Sequence, residues 1–133
     1  MSVDEFVTNC LLVLAIDDDT ESLDLLKMML SAYGIDVVTA TLATEALAII
    51  AQLLPDVLLI NIAMPDMDGY TLLRQIRSFG TDRVRQIPAI ALTAFATDNE
   101  HAAAIVAGFQ IYLTKPFEFM ELFIAIENLA SGN

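Results

Sequence analysis

Residues 58–69 read Leu-Leu-Ile-Asn-Ile-Ala-Met-Pro-Asp-Met-Asp-Gly, an apolar run that stops at a single amide and turns into an acidic, turn-rich segment. The run begins at Val57, is too short for a typical helix and lacks the alternation of a half-exposed strand. These properties are typical of a strand covered on both faces. Asn61 is therefore predicted to lie at the end of a buried strand.

Four similar apolar runs occur elsewhere in the chain. They are Leu11 to Ile16, Ile35 to Val38, Ala89 to Leu92 and Phe109 to Leu113. Helical segments separate and follow the runs, at Thr20 to Tyr33, Leu42 to Leu54, Tyr70 to Phe79, Thr97 to Ala107 and Phe117 to Leu129. Five strands alternating with five helices predict an α/β fold, a doubly wound parallel sheet of flavodoxin-like (βα)5 type with strand order 2-1-3-4-5.

Length and composition indicate one domain. The 133 residues suit a single domain over 1–133 with a core from about residue 10 to 130, a loose leader at 1–9 and a tail at 131–133. The chain is 56% hydrophobic, yet no apolar run approaches the roughly 20 residues that span a bilayer. Its first five residues include Asp4 and Glu5 and no basic residue, unlike a secretory signal. We expect a cytoplasmic protein without a membrane segment.

The charge of the chain excludes some partners. Eighteen acidic against six basic residues give a formal net charge of −12, which repels nucleic-acid phosphates and acidic lipids. The single cysteine, Cys10, has no partner for a disulfide and is interpreted as a small core residue. His101 has no second His or Cys at ligand spacing and is interpreted as a surface residue.

Polar side chains mark the carboxyl ends of four predicted strands. They are the triplet Asp17-Asp18-Asp19, then Asn61, Thr93 and Lys115. Each has an ordinary structural reading, since Asp19 could cap the first helix as Thr41 could cap the second. Parallel sheets bind ligands at this edge, so the four features together predict one site. Adjacent carboxylates suit Mg²⁺, a cation that takes oxygen ligands.

With Lys115-Pro116, these features resemble the receiver domain of two-component response regulators over nearly the whole chain. The resemblance implies a signalling switch that acts through protein contacts and is not an enzyme. It places Asn61 at the phosphate-accepting Asp, Thr93 and Lys115 as phosphoryl-binding residues, and Tyr112 as the aromatic whose rotamer reports the contact with Thr93. For Tyr112, a space-filling role in the strand is an equally good interpretation.

The resemblance also implies a cofactor and a loop conformation. Mg²⁺ would be held by Asp17, Asp18, the Asn61 side chain and the Ala63 carbonyl. The Lys115-Pro116 peptide would be cis. Asp66 and Asp68 are interpreted as turn formers. Gly69 is interpreted as the residue whose conformational freedom leads into the third helix.

Asn61 changes the expected chemistry. Its amide is uncharged and poorly nucleophilic, and it offers a metal one neutral oxygen. We therefore predict no phosphorylation at residue 61 and weakened Mg²⁺ binding. Two explanations stay open: a natural atypical receiver that works without phosphate, or an engineered Asp-to-Asn substitution in an ordinary receiver.

As partners, the resemblance implies a sensor histidine kinase or phosphotransfer protein and a downstream output protein or domain. The fourth and fifth predicted helices carry apolar residues beyond one core-facing stripe, which often marks an interface. Since the resemblance implies contacts through helix four, strand five and helix five, we expect a homodimer through this surface. Two other function classes fit parts of the sequence. A haloacid-dehalogenase-type phosphatase needs an Asp-x-Asp motif, which Asp17 and Asp19 match only by spacing, and a cap domain. A phosphorylation-independent pseudo-receiver would serve as an interaction or dimerisation module.

Overall fold

A computed structural model describes residues 11–78, 80–94 and 97–131. Five parallel strands form one sheet in the order β2-β1-β3-β4-β5. They are β1 Leu12–Ile16, β2 Asp36–Ala40, β3 Val57–Asn61, β4 Ala89–Thr93 and β5 Ile111–Thr114. The predicted flavodoxin-like order 2-1-3-4-5 is confirmed. The predictions for Cys10 and Phe79, and for residues 1–9, 132 and 133, lie outside the described residues.

Five helices connect and flank the strands. They are α1 Thr20–Ser31, α2 Ala43–Leu53, α3 Gly69–Ser78, α4 Asp98–Ala107 and α5 Phe119–Ala130. A four-residue helical turn, Asp82–Arg85, precedes β4 and was not predicted from the sequence. Within the described residues, no helix is both long and apolar enough to cross a membrane.

The sheet separates two layers of core. All five residues of β3 and of β4 are buried, as expected for strands covered on both faces. On one side, Leu14 and Ile16 of β1 share a cluster with buried residues of α2, α3 and α4. On the other, Val13 and Ala15 share a cluster with buried residues of α1 and α5. The alternation along β1 assigns its side chains to the two layers.

Of the two helix caps predicted from the sequence, one is confirmed and one is wrong. Asp19 caps α1, since its side chain accepts hydrogen bonds from the backbone of Glu21 and Ser22. The prediction of Thr41 as the cap of α2 was wrong. Leu42 occupies the cap position, and its side chain makes no capping hydrogen bond. Asp66 Oδ2 instead accepts from the Ala43 amide at 2.8 Å. A carboxylate from a distant loop therefore satisfies a free N–H group of α2.

Gly69 is required because a side chain at this position would have no room. The prediction that it is required for its conformational freedom was wrong. Positive φ angles among the described glycines occur at Gly34, Gly80 and Gly108. A Cβ at Gly69 would lie 2.9 Å from side-chain atoms of Ile60 and Ile62 and 3.0 Å from the Asn61 carbonyl oxygen. The missing side chain thus lets α3 begin directly against the end of β3.

Candidate functional site

The predicted site residues lie along the carboxyl edge of the sheet. Asn61 and Thr93 are the last residues of β3 and β4, and Asp17 follows β1 directly. All three are buried polar residues. Lys115 follows β5, and its bond to Pro116 is cis, as the resemblance implied. Asp18 is exposed at the rim.

Asn61 is bonded through both atoms of its amide. Its Oδ1 accepts a hydrogen bond from Lys115 Nζ at 3.1 Å. Its Nδ2 donates to the Ala63 carbonyl at 2.8 Å and to Asp18 Oδ1 at 3.4 Å. We call Asp17, Asp18, Asn61, Ala63 and Lys115 the Asn61 pocket. The strand ends predicted Asp17, Asp18, Asn61 and Lys115 as one site, and the resemblance added Ala63. The structure brings these five residues together.

Asp17 and Lys115 form the ion pair of this pocket. Lys115 Nζ lies 3.3 Å from Asp17 Oδ2, and the Asp19 amide donates to Asp17 Oδ1 at 3.0 Å. The Asp17 side chain is 5% exposed, whereas that of Lys115 is 33% exposed. Burial raises the pKa of Asp17 above its ordinary value, although the Asp19 amide and Lys115 act in the opposite direction. The pair therefore does not fully offset the cost of burying the carboxylate.

Thr93 and Tyr112 meet one strand further along the sheet. The two side chains are hydrogen-bonded, and this bond lowers the pKa of Tyr112 against the larger rise caused by burial. The Tyr112 ring also contacts the ring of the exposed His101, with centroids 5.1 Å apart. A backbone bond of 2.6 Å from the Lys115 amide to the Thr93 carbonyl joins this pair to the Asn61 pocket.

A second tyrosine, which the sequence did not single out, links α3 to α4. The Tyr70 hydroxyl donates to the Glu100 carboxylate and lies 3.2 Å from the Glu100 carbonyl oxygen. Burial, followed by the bond to Glu100, raises the pKa of Tyr70. We call Tyr70, Thr93, Glu100, His101 and Tyr112 the α4 network. A Tyr and a Glu thirty residues apart carry no sequence signal that they would meet.

Arg77 was also missed from the sequence. Its guanidinium donates to the carbonyl groups of Arg85 at 2.9 Å, Ile87 at 2.6 Å and Gly108 at 3.2 Å. These carbonyls lie in the helical turn, before β4 and after α4. Burial lowers the pKa of Arg77. One cation at the end of α3 thus fixes two connections at the amino edge of the sheet, the segment that leads into β4 and the segment between α4 and β5.

The residues assigned to Mg²⁺ by resemblance are close together, but their arrangement here does not fit a cation. The Asn61 Nδ2 group, a donor, faces the Ala63 carbonyl and Asp18 Oδ1, two of the four expected ligands. The amide oxygen and Asp17 face the Lys115 ammonium. Among residues 11–78, 80–94 and 97–131, no group of three or more His, Cys, Asp or Glu side chains forms a metal site.

A cavity of about 330 Å³ opens beside Asp17 and Lys115. Ser22 contributes a hydroxyl to its wall, and the other lining residues are apolar. They are Leu25, Leu26, Met29, Leu92, Pro116, Phe117 and Phe119. A molecule that reaches the Asn61 pocket between α1 and the start of α5 therefore passes mainly apolar side chains.

Comparison with known proteins places the chain in a family. An uncharacterized 14.6 kDa protein of Leptolyngbya boryana is 42% identical over 110 residues, which cover 83% of this chain and 82% of that protein. The response regulator MprA of Mycobacterium leprae is 38% identical over 117 residues, 88% of this chain and 50% of that protein. The chain thus spans about half the length of the MprA regulators it matches.

Solved structures agree with the sequence relatives. The Francisella response regulator 1452 receiver domain matches with a TM-score of 0.83 and 32% identity, covering 91% of this chain and 97% of that one. The model of the response regulator receiver domain matches residues 13–127, from β1 into α5. The chain therefore belongs to the response regulator receiver domain family.

Proposed function

We propose that this chain is a receiver module of a two-component phosphorelay that cannot be phosphorylated at residue 61 and passes information through protein contacts without being an enzyme. Receiver domains are signalling domains, and the family relation supports this part. One observation carries the rest: Asn61 ends β3 at the centre of the pocket, bonded to Lys115 and Asp18. The module extends, in this proposal, over residues 1–133 and is cytoplasmic.

The chemistry of the amide supports the loss of phosphorylation. Forming an acyl phosphate needs an anionic carboxylate oxygen that can attack phosphorus. The Asn61 oxygen is neutral, and it accepts a hydrogen bond from the Lys115 ammonium. We propose Thr93 and Lys115 as phosphoryl-binding residues of an Asn61→Asp variant and Tyr112 as its switch residue. This is supported by Thr93 at the end of β4, Lys115 directly after β5 and the hydrogen bond between Thr93 and Tyr112.

Two origins of this state fit the proposal. In one, an engineered Asp-to-Asn substitution locks an ordinary receiver in its unmodified form. In the other, the chain is a natural pseudo-receiver that serves as a phosphorylation-independent interaction or dimerisation module. The hydrogen bonds of the Asn61 pocket are the same in both cases. The first origin is favoured by the intact surroundings of residue 61, namely the buried Asp17 and Thr93 and the cis Lys115-Pro116 bond.

For Mg²⁺ we propose binding weaker than in an Asn61→Asp variant. Receiver domains generally bind this cation at their acidic pocket. Asp17, Asp18, the Asn61 oxygen and the Ala63 carbonyl are the groups that would hold it. Here Lys115 and the Asn61 amide would first have to move, because they occupy the lone pairs that a cation needs.

For partners we propose a histidine kinase or phosphotransfer protein, an output protein or domain, and a second copy bound through α4, β5 and α5. Exposed apolar side chains support the homodimer: Ile105 and Val106 on α4, and Met120 and Ile124 on α5. The net charge of −12 argues against direct contact with nucleic acid. Exposed apolar residues also occur on α1, at Leu25 and Met28, which the sequence did not single out as surface.

Sedimentation velocity at high micromolar concentration tests the homodimer. We expect a dimer that Val106→Glu dissociates and that Met28→Glu, with a comparably exposed residue on α1, leaves intact. A monomer under these conditions, or equal loss with both variants, contradicts the proposed surface.

Intact-mass spectrometry tests the proposed chemistry. The chain, Asn61→Asp and the control Asn128→Asp are each incubated with Mg²⁺ and acetyl phosphate. Asn128 is exposed on α5, so its variant has the same chemical change outside the pocket. We expect one labile phosphoryl group on Asn61→Asp and none on the other two proteins.

The other outcomes are equally informative. A phosphoryl group on the unaltered chain contradicts the proposal directly. If no protein gains one, the phosphorelay assignment fails and the pseudo-receiver alternative takes its place.

A further inference from the structure

The Asn61 amide nitrogen lies where two oxygens converge. One is the Ala63 carbonyl at 2.8 Å, and the other is Asp18 Oδ1 at 3.4 Å. A primary amide has two N–H donors, so each oxygen receives one. An Asp side chain at this position has the same shape and no donor. The side chain therefore joins two acceptors that an Asp would repel.

The orientation of the amide is determined by its third partner. Lys115 carries an ammonium, which donates and cannot accept, and it lies 3.1 Å from Oδ1. Reversing the amide would place its NH₂ group against the ammonium and its oxygen against the Ala63 carbonyl and Asp18. Both contacts would become repulsive, so the observed orientation is the one that the pocket permits.

The remaining acceptors are matched in the same way. Asp17 Oδ2 faces Lys115 Nζ at 3.3 Å, and Asp17 Oδ1 faces the Asp19 amide at 3.0 Å. The oxygen groups that a cation would bring together in a receiver pocket are thus held by N–H donors of the chain itself. With Asp at residue 61, a third carboxylate would join Asp17 and Asp18, and like charges would favour proton or metal uptake.

We infer that Asn61 is a positioning residue that replaces the divalent cation: its amide ties Asp18 to the Ala63 carbonyl, so the folded pocket is stable without Mg²⁺ and binds it too weakly to be stabilised by millimolar concentrations. The inference deepens the proposed function and rests on it only in taking this pocket as the receiver pocket. It predicts that one isosteric substitution converts a metal-independent domain into a metal-dependent one.

Thermal unfolding with and without millimolar MgCl₂ tests the inference, on the unaltered chain, Asn61→Asp and Asn128→Asp. We expect a melting temperature that Mg²⁺ leaves unchanged in the unaltered chain and in Asn128→Asp. Asn61→Asp should melt lower without metal and gain roughly 5 °C with Mg²⁺. An equal gain in the unaltered chain, or no gain in Asn61→Asp, overturns the inference.

Asn61→Ala tests the hydrogen bonds of the Asn61 amide apart from the effect of a third carboxylate, because it removes both N–H donors without adding a charge. We expect this variant to melt below the unaltered chain in metal-free buffer. An unchanged melting temperature would overturn the inference that the amide ties Asp18 to the Ala63 carbonyl. In ¹H–¹⁵N spectra, the Asn61 side-chain amide, identified by its loss in Asn61→Asp, should not shift with MgCl₂. A shift that saturates with Mg²⁺ contradicts the inference. These readouts do not depend on phosphorylation, so they can fail while the phosphodonor assay succeeds, or the reverse.

Discussion

The Asn61 pocket and the α4 network are neighbouring polar clusters at one edge of the sheet. They differ in what their hydrogen bonds connect. The pocket joins its members to one another through Asn61 and Lys115. The α4 network joins different elements: Tyr70 of α3 to Glu100 of α4, and Thr93 of β4 to Tyr112 of β5. One backbone bond, from Lys115 to Thr93, links the clusters.

Under the proposed function, the two clusters have different roles. Asn61 stands at the position that would accept a phosphoryl group and lacks the carboxylate needed for it. Thr93 and Tyr112 of the α4 network are the proposed hydroxyl and aromatic that would respond to that group. We therefore propose that the site of phosphorylation is altered and the residues that respond to it are kept. The variants below affect one cluster at a time.

The largest effect is expected from Gly69→Ala, on the pocket side. Its Cβ would lie 2.9 Å from atoms of Ile60 and Ile62 and 3.0 Å from the Asn61 carbonyl oxygen. Overpacking of this kind lowers the free energy of unfolding by about 2 kcal/mol. Urea denaturation measures it, with Ser78→Ala at the exposed end of α3 as control. A Gly69→Ala protein as stable as the control would show that the approach of α3 to β3 is not tight.

A smaller effect is expected from Tyr70→Phe, on the α4 side. The change removes the hydroxyl that donates to Glu100 and should lower the free energy of unfolding by about 1 kcal/mol. Hydrogen exchange should speed up at the start of α4 and stay unchanged in the Asn61 pocket. Tyr33→Phe, which keeps the ring packed on Phe119 and Phe123, is the control. Equal loss of protection in both clusters would mean that they form one unit.

The smallest effect is expected from Asp17→Asn and depends on pH. Burial raises the pKa of Asp17 in the folded state, so its stabilising contribution is complete below the unfolded pKa and is lost as pH rises through the folded value. The substitution should therefore make the protein more stable at neutral pH. The gain should be less than about 1 kcal/mol, because Lys115 loses its carboxylate partner and keeps the neutral Asn61 oxygen. The gain should shrink towards about pH 4.

Urea denaturation across this pH range checks the sign, with the exposed Asp36→Asn as control. A variant that is less stable than the unaltered chain at neutral pH would mean that the ion pair with Lys115 outweighs the burial of Asp17.

Much of the fold could be predicted because its signals are local. The strands were placed within two residues by short apolar runs, and Asp19 was identified as the cap of α1 by its position. The cap of α2 could not be predicted, since Asp66 reaches Ala43 from 23 residues away. For the same reason Arg77 was not singled out and the role of Gly69 was predicted wrongly, because both roles depend on which segments meet in space.

The membership of the Asn61 pocket was predictable, and its bonding was not. Strand ends of a parallel sheet converge, so Asp17, Asn61 and Lys115 could be assigned to one site. The direction of the Asn61 amide depends on Lys115, 54 residues away, and on the Ala63 carbonyl. The sequence therefore predicted that Asn61 cannot act as a nucleophile, and it did not predict that the Asn61 amide donates hydrogen bonds within the pocket.

We propose that residue 61 cannot accept a phosphoryl group while the α4 network can still respond to one. Spectra of the ¹H–¹⁵N type test this on the unaltered chain and on Asn61→Asp, each with Mg²⁺ before and after addition of acetyl phosphate. We predict that the phosphodonor shifts the resonances of Thr93, Tyr112 and α4 in Asn61→Asp and leaves those of the unaltered chain in place. The claim is contradicted if the unaltered chain shows the same shifts, or if a phosphorylated Asn61→Asp shows none in the α4 network.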